Sequence, residues 1–256
     1  MREIVIPGHI RLIYAREPNF FQGFVGGGRN TQVLVLEHEG RIAGAGCRAV
    51  HTLYVNGRPQ SFGYLSGLRL TQEVRNSTAL ARGYAFLRQL HADNRCPAYV
   101  TTIIDGNQAT EKTLTSRRAG LPAYIPLGKY VTYVYPTARK TARQEKIARV
   151  EIRDGNSVDE RAIREFLSRE GARRQFFPVC DGQADCPDLL TEIGLSNLVV
   201  GMRDERIVGV MGLWDRNAVR QYIVESYSAW LRLCRPFLNF GLRWCGLHGL
   251  PAAGEQ

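Results

Sequence analysis

The chain has 256 residues, 44% of them hydrophobic and 23% charged, with a formal net charge of +10; this is the balance of a water-soluble globular protein built as one large domain or two smaller ones. No apolar run approaches the roughly 20 residues that span a bilayer, and MREIVIPGH lacks the basic start and long apolar stretch of a signal peptide, so the expectation is a cytoplasmic protein with no membrane partner. The six cysteines form no C-x-x-C pair, which excludes a zinc ribbon or dithiol redox centre; they read as reduced and mostly buried thiols, and no metal site is expected.

In chain order, IRLIYA (10–15) reads as a strand, EPNFFQGFVGGGRN as a connector with a short helix opened by Pro18 and a loop at Gly26–Gly28, and TQVLVLE (31–37), IAGAGCRAVHTLYV (42–55) and SFGYLSGLRL (61–70) as three strands. The separators His38-Glu39-Gly40-Arg41 and Asn56-Gly57 tolerate the positive φ angles of tight type I′ turns, which predicts an antiparallel meander over residues 31–70. From Thr78 to His91 the period changes to that of a helix, with Leu80, Tyr84 and Leu87 on one face. A strand at 98–104, a helix at 108–120 and one or two strands at 124–135 follow.

Residues 137–149 are polar and basic and read as a linker between a first unit (1–136) and a second (150–256). In the second unit Val150–Arg153 reads as a strand, Ser157 and Glu160 have capping-box spacing before a helix, and residues 197–202 and 207–214 form a hairpin around Arg203-Asp204-Glu205-Arg206. The periodicity from Tyr222 to Gly246 is ambiguous between strand and helix.

Charge divides along the same line: residues 1–149 carry 21 Lys+Arg against 9 Asp+Glu, and residues 150–256 carry 13 against 15. A basic surface attracts polyanions, both nucleic acids and phosphate-bearing cofactors. Since 30 of the 34 basic residues are Arg, the bias is equally that of genomic base composition.

Strand, helix, antiparallel meander, long helix, strand, helix, strand is an order that resembles the GNAT acyltransferase superfamily, whose members transfer an acyl group from acyl-coenzyme A to an amine. The motif-bearing part is residues 65–120. Leu68-Arg69-Leu70 stands for the family's strand, Glu73-Val74-Arg75 for its exit, and Arg75-Asn76-Ser77-Thr78-Ala79-Leu80 for the Arg-x-x-Gly-x-Gly turn, with Thr78 and Leu80 in place of both glycines. A helix start leaves backbone N–H groups unpaired and carries partial positive charge, so it holds phosphate without any particular side chain. The alternative is that Ser77 or Thr78 only caps a helix.

The resemblance implies a mixed α/β (α+β) fold, mostly antiparallel and flanked by helices, followed by a partial or degenerate second GNAT-like unit. It implies acetyl-coenzyme A, or another acyl-coenzyme A, as donor and an unidentified amine as acceptor. Asn107 either contacts the pantetheine arm or caps the helix of 108–120. The backbone N–H at Leu70 is the expected oxyanion donor, and the pantetheine is expected where the strands ending at Leu70 and Ile104 splay. The family's tyrosine acid has no counterpart: Leu114 and Ser116 stand at its two possible positions, leaving Tyr124 and Tyr130 as substitutes and Asp105, Glu73 and His51 as candidate bases. The lost glycines and tyrosine also fit a catalytically silent GNAT-like binding module; a nucleic-acid binder is a third reading, without a recognised motif.

Overall fold

The computed structural model describes residues 4–6, 8–16, 31–118, 120–133, 150–180, 189–213, 215, 217, 219 and 221–254. The helix and loop expected around Pro18 and Gly26–Gly28, the linker at 137–149 and Cys186 lie outside them.

The antiparallel meander forms as its turns dictate. Strands β3 (Gln32–His38), β4 (Arg41–Val55) and β5 (Arg58–Leu70) are joined by two tight turns in which Glu39 and Gly40 have φ of 50° and 71°, and Asn56 and Gly57 of 51° and 77°. Two consecutive positive φ values match the right-handed twist of the flanking strands. A short strand β6 (Tyr99–Thr101) joins parallel to β5, so the sheet order is β3-β4-β5-β6. Gly63 is required there, because a Cβ would fall 2.1 Å from the Tyr99 ring.

Helices α1 (Gln72–Arg75) and α2 (Ala79–His91) form the connection from β5 to β6, and α3 (Gln108–Thr115) follows β6. Val74 and Ala79 are buried with Ala43 and pack on Leu36 and Leu70, which fixes the start of α2 against the end of β5.

Past residue 150, β7 (Glu151–Asp154), β9 (Leu198–Arg203) and β10 (Arg206–Gly212) form an antiparallel sheet in the order β10-β9-β7. Asp204 and Glu205, at φ of 46° and 55°, form its tight turn. Helices α4 (Glu160–Gly171) and α5 (Leu189–Ile193) cover it, burying Ile163, Leu190, Ile193, Leu198, Val200 and Met202 in one cluster.

Two pairings join segments before residue 136 to segments after residue 150. Strand β2 (Ile10–Ala15) lies between β1 (Ile4–Ile6) and β11 (Gln221–Tyr227), in register Tyr14↔Tyr222, rather than beside the meander. A two-residue strand, β8 (Phe177–Pro178), pairs with β4 at Leu53 and Tyr54. Helix α6 (Ala229–Trp244) follows β11 and resolves the ambiguity of that segment into strand and then helix.

Several expectations need correction. The strand expected at 98–104 is only Tyr99–Thr101, and the helix expected to reach Gly120 ends at Thr115. Residues 124–133 form no strand: Pro126 offers no N–H and Gly128 sits at φ 141°. Glu73-Val74-Arg75 is a helical turn rather than a strand exit. The cap of α4 is Asp159, whose carboxylate accepts the Ala162 N–H at 3.2 Å, while Ser157 closes a 3-10 turn by donating to Asp154 O at 2.6 Å. Of the described cysteines Cys47, Cys96 and Cys180 are buried, whereas Cys234 and Cys245 are exposed.

Candidate functional site

Strands β5 and β6 touch over three residue pairs, Gly63↔Tyr99, Tyr64↔Val100 and Leu65↔Thr101. Just beyond, β5 bulges: its register with β4 passes from Cys47↔Ser66 to Ala45↔Arg69, with Gly67 at φ 66°. The extra residue bends and twists β5. β5 then follows β4 as far as Gly44↔Leu70, while Thr102–Ile104 leave the sheet, so the two parallel strands part.

Leu70 lies on the inner edge of that parting. Thr71 N–H donates to Ala43 O at 2.8 Å, which makes Gly44↔Leu70 a non-hydrogen-bonded pair of the antiparallel ladder. The N–H and C=O of Leu70 therefore point away from β4, to the side that β6 has left. The Leu70 side chain packs against the cluster of Ala43, Val74 and Ala79, and Leu68, on the bulge, is 44% exposed.

The turn at Arg75–Thr78 is exposed. Its amides are partly used: Asn76 N–H and Ser77 N–H donate to Val74 O, and Ala79 N–H donates to Ser77 Oγ at 3.1 Å. Thr78 is the N-cap residue of α2 but makes no side-chain cap. The first helical bond runs from Arg82 N–H to Thr78 O, so the N–H groups of Leu80 and Ala81 have no acceptor within the helix. The open donors thus start later than the Asn76–Leu80 span read from the sequence, and Ser77 does cap locally.

The remaining candidates are spread out. Asn107 is the N-cap of α3, its side-chain oxygen accepting Thr110 N–H at 3.3 Å, and Asp105, exposed in the turn before it, accepts Gly106 N–H at 3.1 Å. Tyr124 shares a 2.7 Å hydrogen bond with Tyr84 of α2; burial first, and this bond second, push the Tyr84 phenol above its ordinary pKa. Gly120, at φ 87°, comes close enough to α2 that a Cβ would lie 3.2 Å from the Ala81 Cβ. Residues 120–124 therefore run along the first turns of α2. Tyr130 is 85% exposed. His51 pairs with Phe62, eight residues back along β5 from Leu70 or about 26 Å at the rise of a strand, and burial lowers its pKa.

One polar cluster was not anticipated. Arg48 on β4 is fully buried; its Nη1 and Nη2 donate to the two Asp93 carboxylate oxygens at 2.8 Å each, its Nε to Tyr99 OH at 2.9 Å, and its Nη1 also to Gln32 Oε1 at 2.6 Å. Tyr99 OH in turn meets His91 Nδ1 at 3.1 Å. Arg48 holds the Asp93 carboxyl at a pKa of about 2, and the cluster locks the far end of α2 to β3, β4 and β6. A lone Arg in a strand pattern gives no hint of this. The Gly67 bulge did have a signal, an isolated glycine inside an apolar strand run.

Open concavities of about 410 Å³, at Asp154, Asn197 and Leu213, and about 330 Å³, at Arg243 and His248, include no residue of the parting strands.

An antiparallel meander, a helix, a parallel strand and a further helix, in that order, make this a mixed α/β fold, mostly antiparallel in its sheets. No family model matches the sequence, and no curated protein does. Among solved structures the chain is similar to a transcriptional regulator from Bacillus halodurans C-125, at 9% identity and a TM-score of 0.36 over 42% of this chain and 67% of that one. It is similar to an aminoglycoside N-acetyltransferase in complex with coenzyme A, at 14% identity and a TM-score of 0.34 over 40% and 74%. It is also similar to glucosamine-6-phosphate N-acetyltransferase from Arabidopsis thaliana, at 16% identity and a TM-score of 0.31 over 44% and 74%. Each likeness spans less than half of this chain.

Proposed function

We propose that the protein is an acyl-coenzyme A-dependent N-acyltransferase that moves an acetyl group from acetyl-coenzyme A to an amine by direct attack. The observation that carries this is the parting of β5 from β6 beside a helix start whose Leu80 and Ala81 amides have no acceptor within the helix. A pantetheine arm, whose amides resemble a peptide strand, pairs with the open edge of β5 from Leu68 to Leu70. Its pyrophosphate sits at the amides of Leu80 and Ala81, with Thr78 at the rim and the exposed Arg75 supplying charge. As the amine attacks the thioester carbonyl, the Leu70 N–H donates to the oxyanion. The C–N bond forms, the C–S bond breaks, and coenzyme A leaves as the thiolate. Asp105, or water beside it, takes the proton from the amine; Tyr124 is the phenol that protonates the thiolate, once released from Tyr84.

Calorimetry with acetyl-coenzyme A tests the donor site. The expected result is binding that Arg75→Glu with Thr78→Pro abolishes; no binding by the folded protein at high micromolar ligand, or binding indifferent to the double substitution, overturns it.

A second reading has its own observation. Asn107 is used as a cap and Tyr124 is held by Tyr84, so neither stands ready for chemistry. This favours a GNAT-like module that binds coenzyme A or a partner without turnover. Release of free thiol from acetyl-coenzyme A in the presence of a panel of amines decides for the enzyme.

A further inference from the structure

Helix α6 has one covered face and, opposite it, a bare apolar one. Its inner face is covered: Leu231 is buried, Arg235 Nη1 donates to Pro251 O at 2.6 Å, and Asn239 exchanges hydrogen bonds of 2.6 and 3.0 Å with the Leu250 backbone. Gly254 N–H, donating to Val224 O at 2.7 Å, pins this tail to β11. On the outer face Trp230, Leu233, Phe237, Phe240 and Trp244 recur three or four residues apart and are 53%, 73%, 81%, 70% and 84% exposed. A contiguous exposed apolar row marks an interaction surface.

Charge selects the occupant. Residues 229–254 contain Arg232, Arg235 and Arg243 and no Asp or Glu. Arg232 and Arg243, both exposed, are 11 residues apart, three helical turns, and so share one flank of the row. Two copies packed antiparallel through the row would set this flank against itself; packed parallel, they would set it against the uncharged flank of Cys234 and Gly241. Neither arrangement neutralises the arginines. A bilayer surface rich in acidic phospholipid does, taking the Phe and Leu side chains into the acyl boundary and the guanidiniums at the phosphates. Trp244 at one end of the row suits the headgroup level, where an apolar ring with one N–H is at home, while Trp230 at the other end donates its N–H to His9 Nδ1 at 3.4 Å. The helix has 16 residues with three arginines, too short and too charged to cross a bilayer, so it lies flat.

We propose that α6 is a surface helix that docks the protein on anionic phospholipid bilayers through Trp230, Leu233, Phe237, Phe240 and Trp244, with Arg232 and Arg243 at the headgroups. The inference is independent of the acyl-transfer reading, since it uses no residue of the parting strands.

Co-sedimentation with phosphatidylcholine vesicles, with and without phosphatidylglycerol, tests it, together with tryptophan emission, because two of the three tryptophans lie in the row. The expected result is binding and a blue shift on the phosphatidylglycerol vesicles, weak binding on phosphatidylcholine alone, and loss at high salt. Phe237→Glu with Phe240→Glu, at exposed positions, should leave the circular dichroism unchanged and weaken vesicle partition by about tenfold or more. Arg232→Gln with Arg243→Gln should weaken it only on the anionic vesicles, again by about tenfold. Absence of vesicle binding by the folded protein, or equal binding by the Phe double variant, overturns the proposal. So does a dimer in light scattering that the Phe substitutions dissolve while vesicles fail to bind, which would assign the row to self-association.

Discussion

Helices α2 and α4 are nearly the same length, 13 and 12 residues, and both are amphipathic, yet they are held in place from opposite ends. At the start of α4 the Asp159 carboxylate accepts the first-turn Ala162 N–H, and one turn on Ile163 is fully buried among Leu190, Leu198 and Val200. Helix α2 has no side-chain cap at Thr78 and buries only Ala79; its firm attachment is at the other end, where Asp93 grips Arg48 and His91 meets Tyr99. A helix start closed by its own carboxylate has no use for an external anion. One left open, with its rigidity supplied elsewhere, presents its amides at little structural cost.

The largest expected effect on this contrast is at the packed helix. Ile163→Ala should cost about 3 kcal/mol of unfolding free energy in urea, since it leaves a cavity among Leu190, Val200 and Met202, and should leave acetyl-coenzyme A binding unchanged. Coupled losses would mean that the two helices do not behave separately.

Arg48→Met should remove about 2 kcal/mol, less than a fully buried ion pair because Asp93 keeps 26% of its side-chain exposure. It should also change the acid limb. The Asp93 carboxyl is held near 2 in the folded protein against an ordinary 3.8, so the native state binds that proton more weakly than the unfolded chain. The pair's stabilisation is complete above the ordinary value and is lost as pH falls from 3.8 towards 2. Denaturant titrations across that window should show the loss in the natural protein and a flatter curve in Arg48→Met.

Asp159→Ala should cost about 1 kcal/mol, the usual worth of a cap, with no effect on ligand. Smallest in stability and most telling is Thr78→Asp. A carboxylate there gives α2 what α4 already has, and should raise stability by about 0.5 kcal/mol while weakening acetyl-coenzyme A binding about tenfold or more. Tighter binding in Thr78→Asp would show that the start of α2 is not where the pyrophosphate lies.

The elements that were legible are those set by near neighbours in the chain. Glu39-Gly40 and Asn56-Gly57 specify their turns, and with them the register of β3, β4 and β5, because only positive φ at both positions closes so short a loop. The 3.6-residue period from Leu80 to Leu87 identified α2, although the helical turn at Gln72–Arg75 before it was read as strand exit. At the candidate site, Leu70 and the start of α2 were named from the motif, but which amides remain open was not. That depends on Ser77 folding back onto Val74 and Ala79, a local bond competing with the helix for the same donors.

By itself the sequence determined the meander, the existence of α2 and α4, and the absence of any span long enough for a bilayer, since periodicity, turn chemistry and apolar length are properties of consecutive residues. The tertiary structure decided which distant segments meet. It set β2 against β11 instead of the meander, cut β6 to three residues and left 124–133 without a ladder, buried Arg48 against an aspartate 45 positions away, and left the outer row of α6 bare. Each of these turns on a partner far along the chain, and a pattern read locally carries no record of that partner.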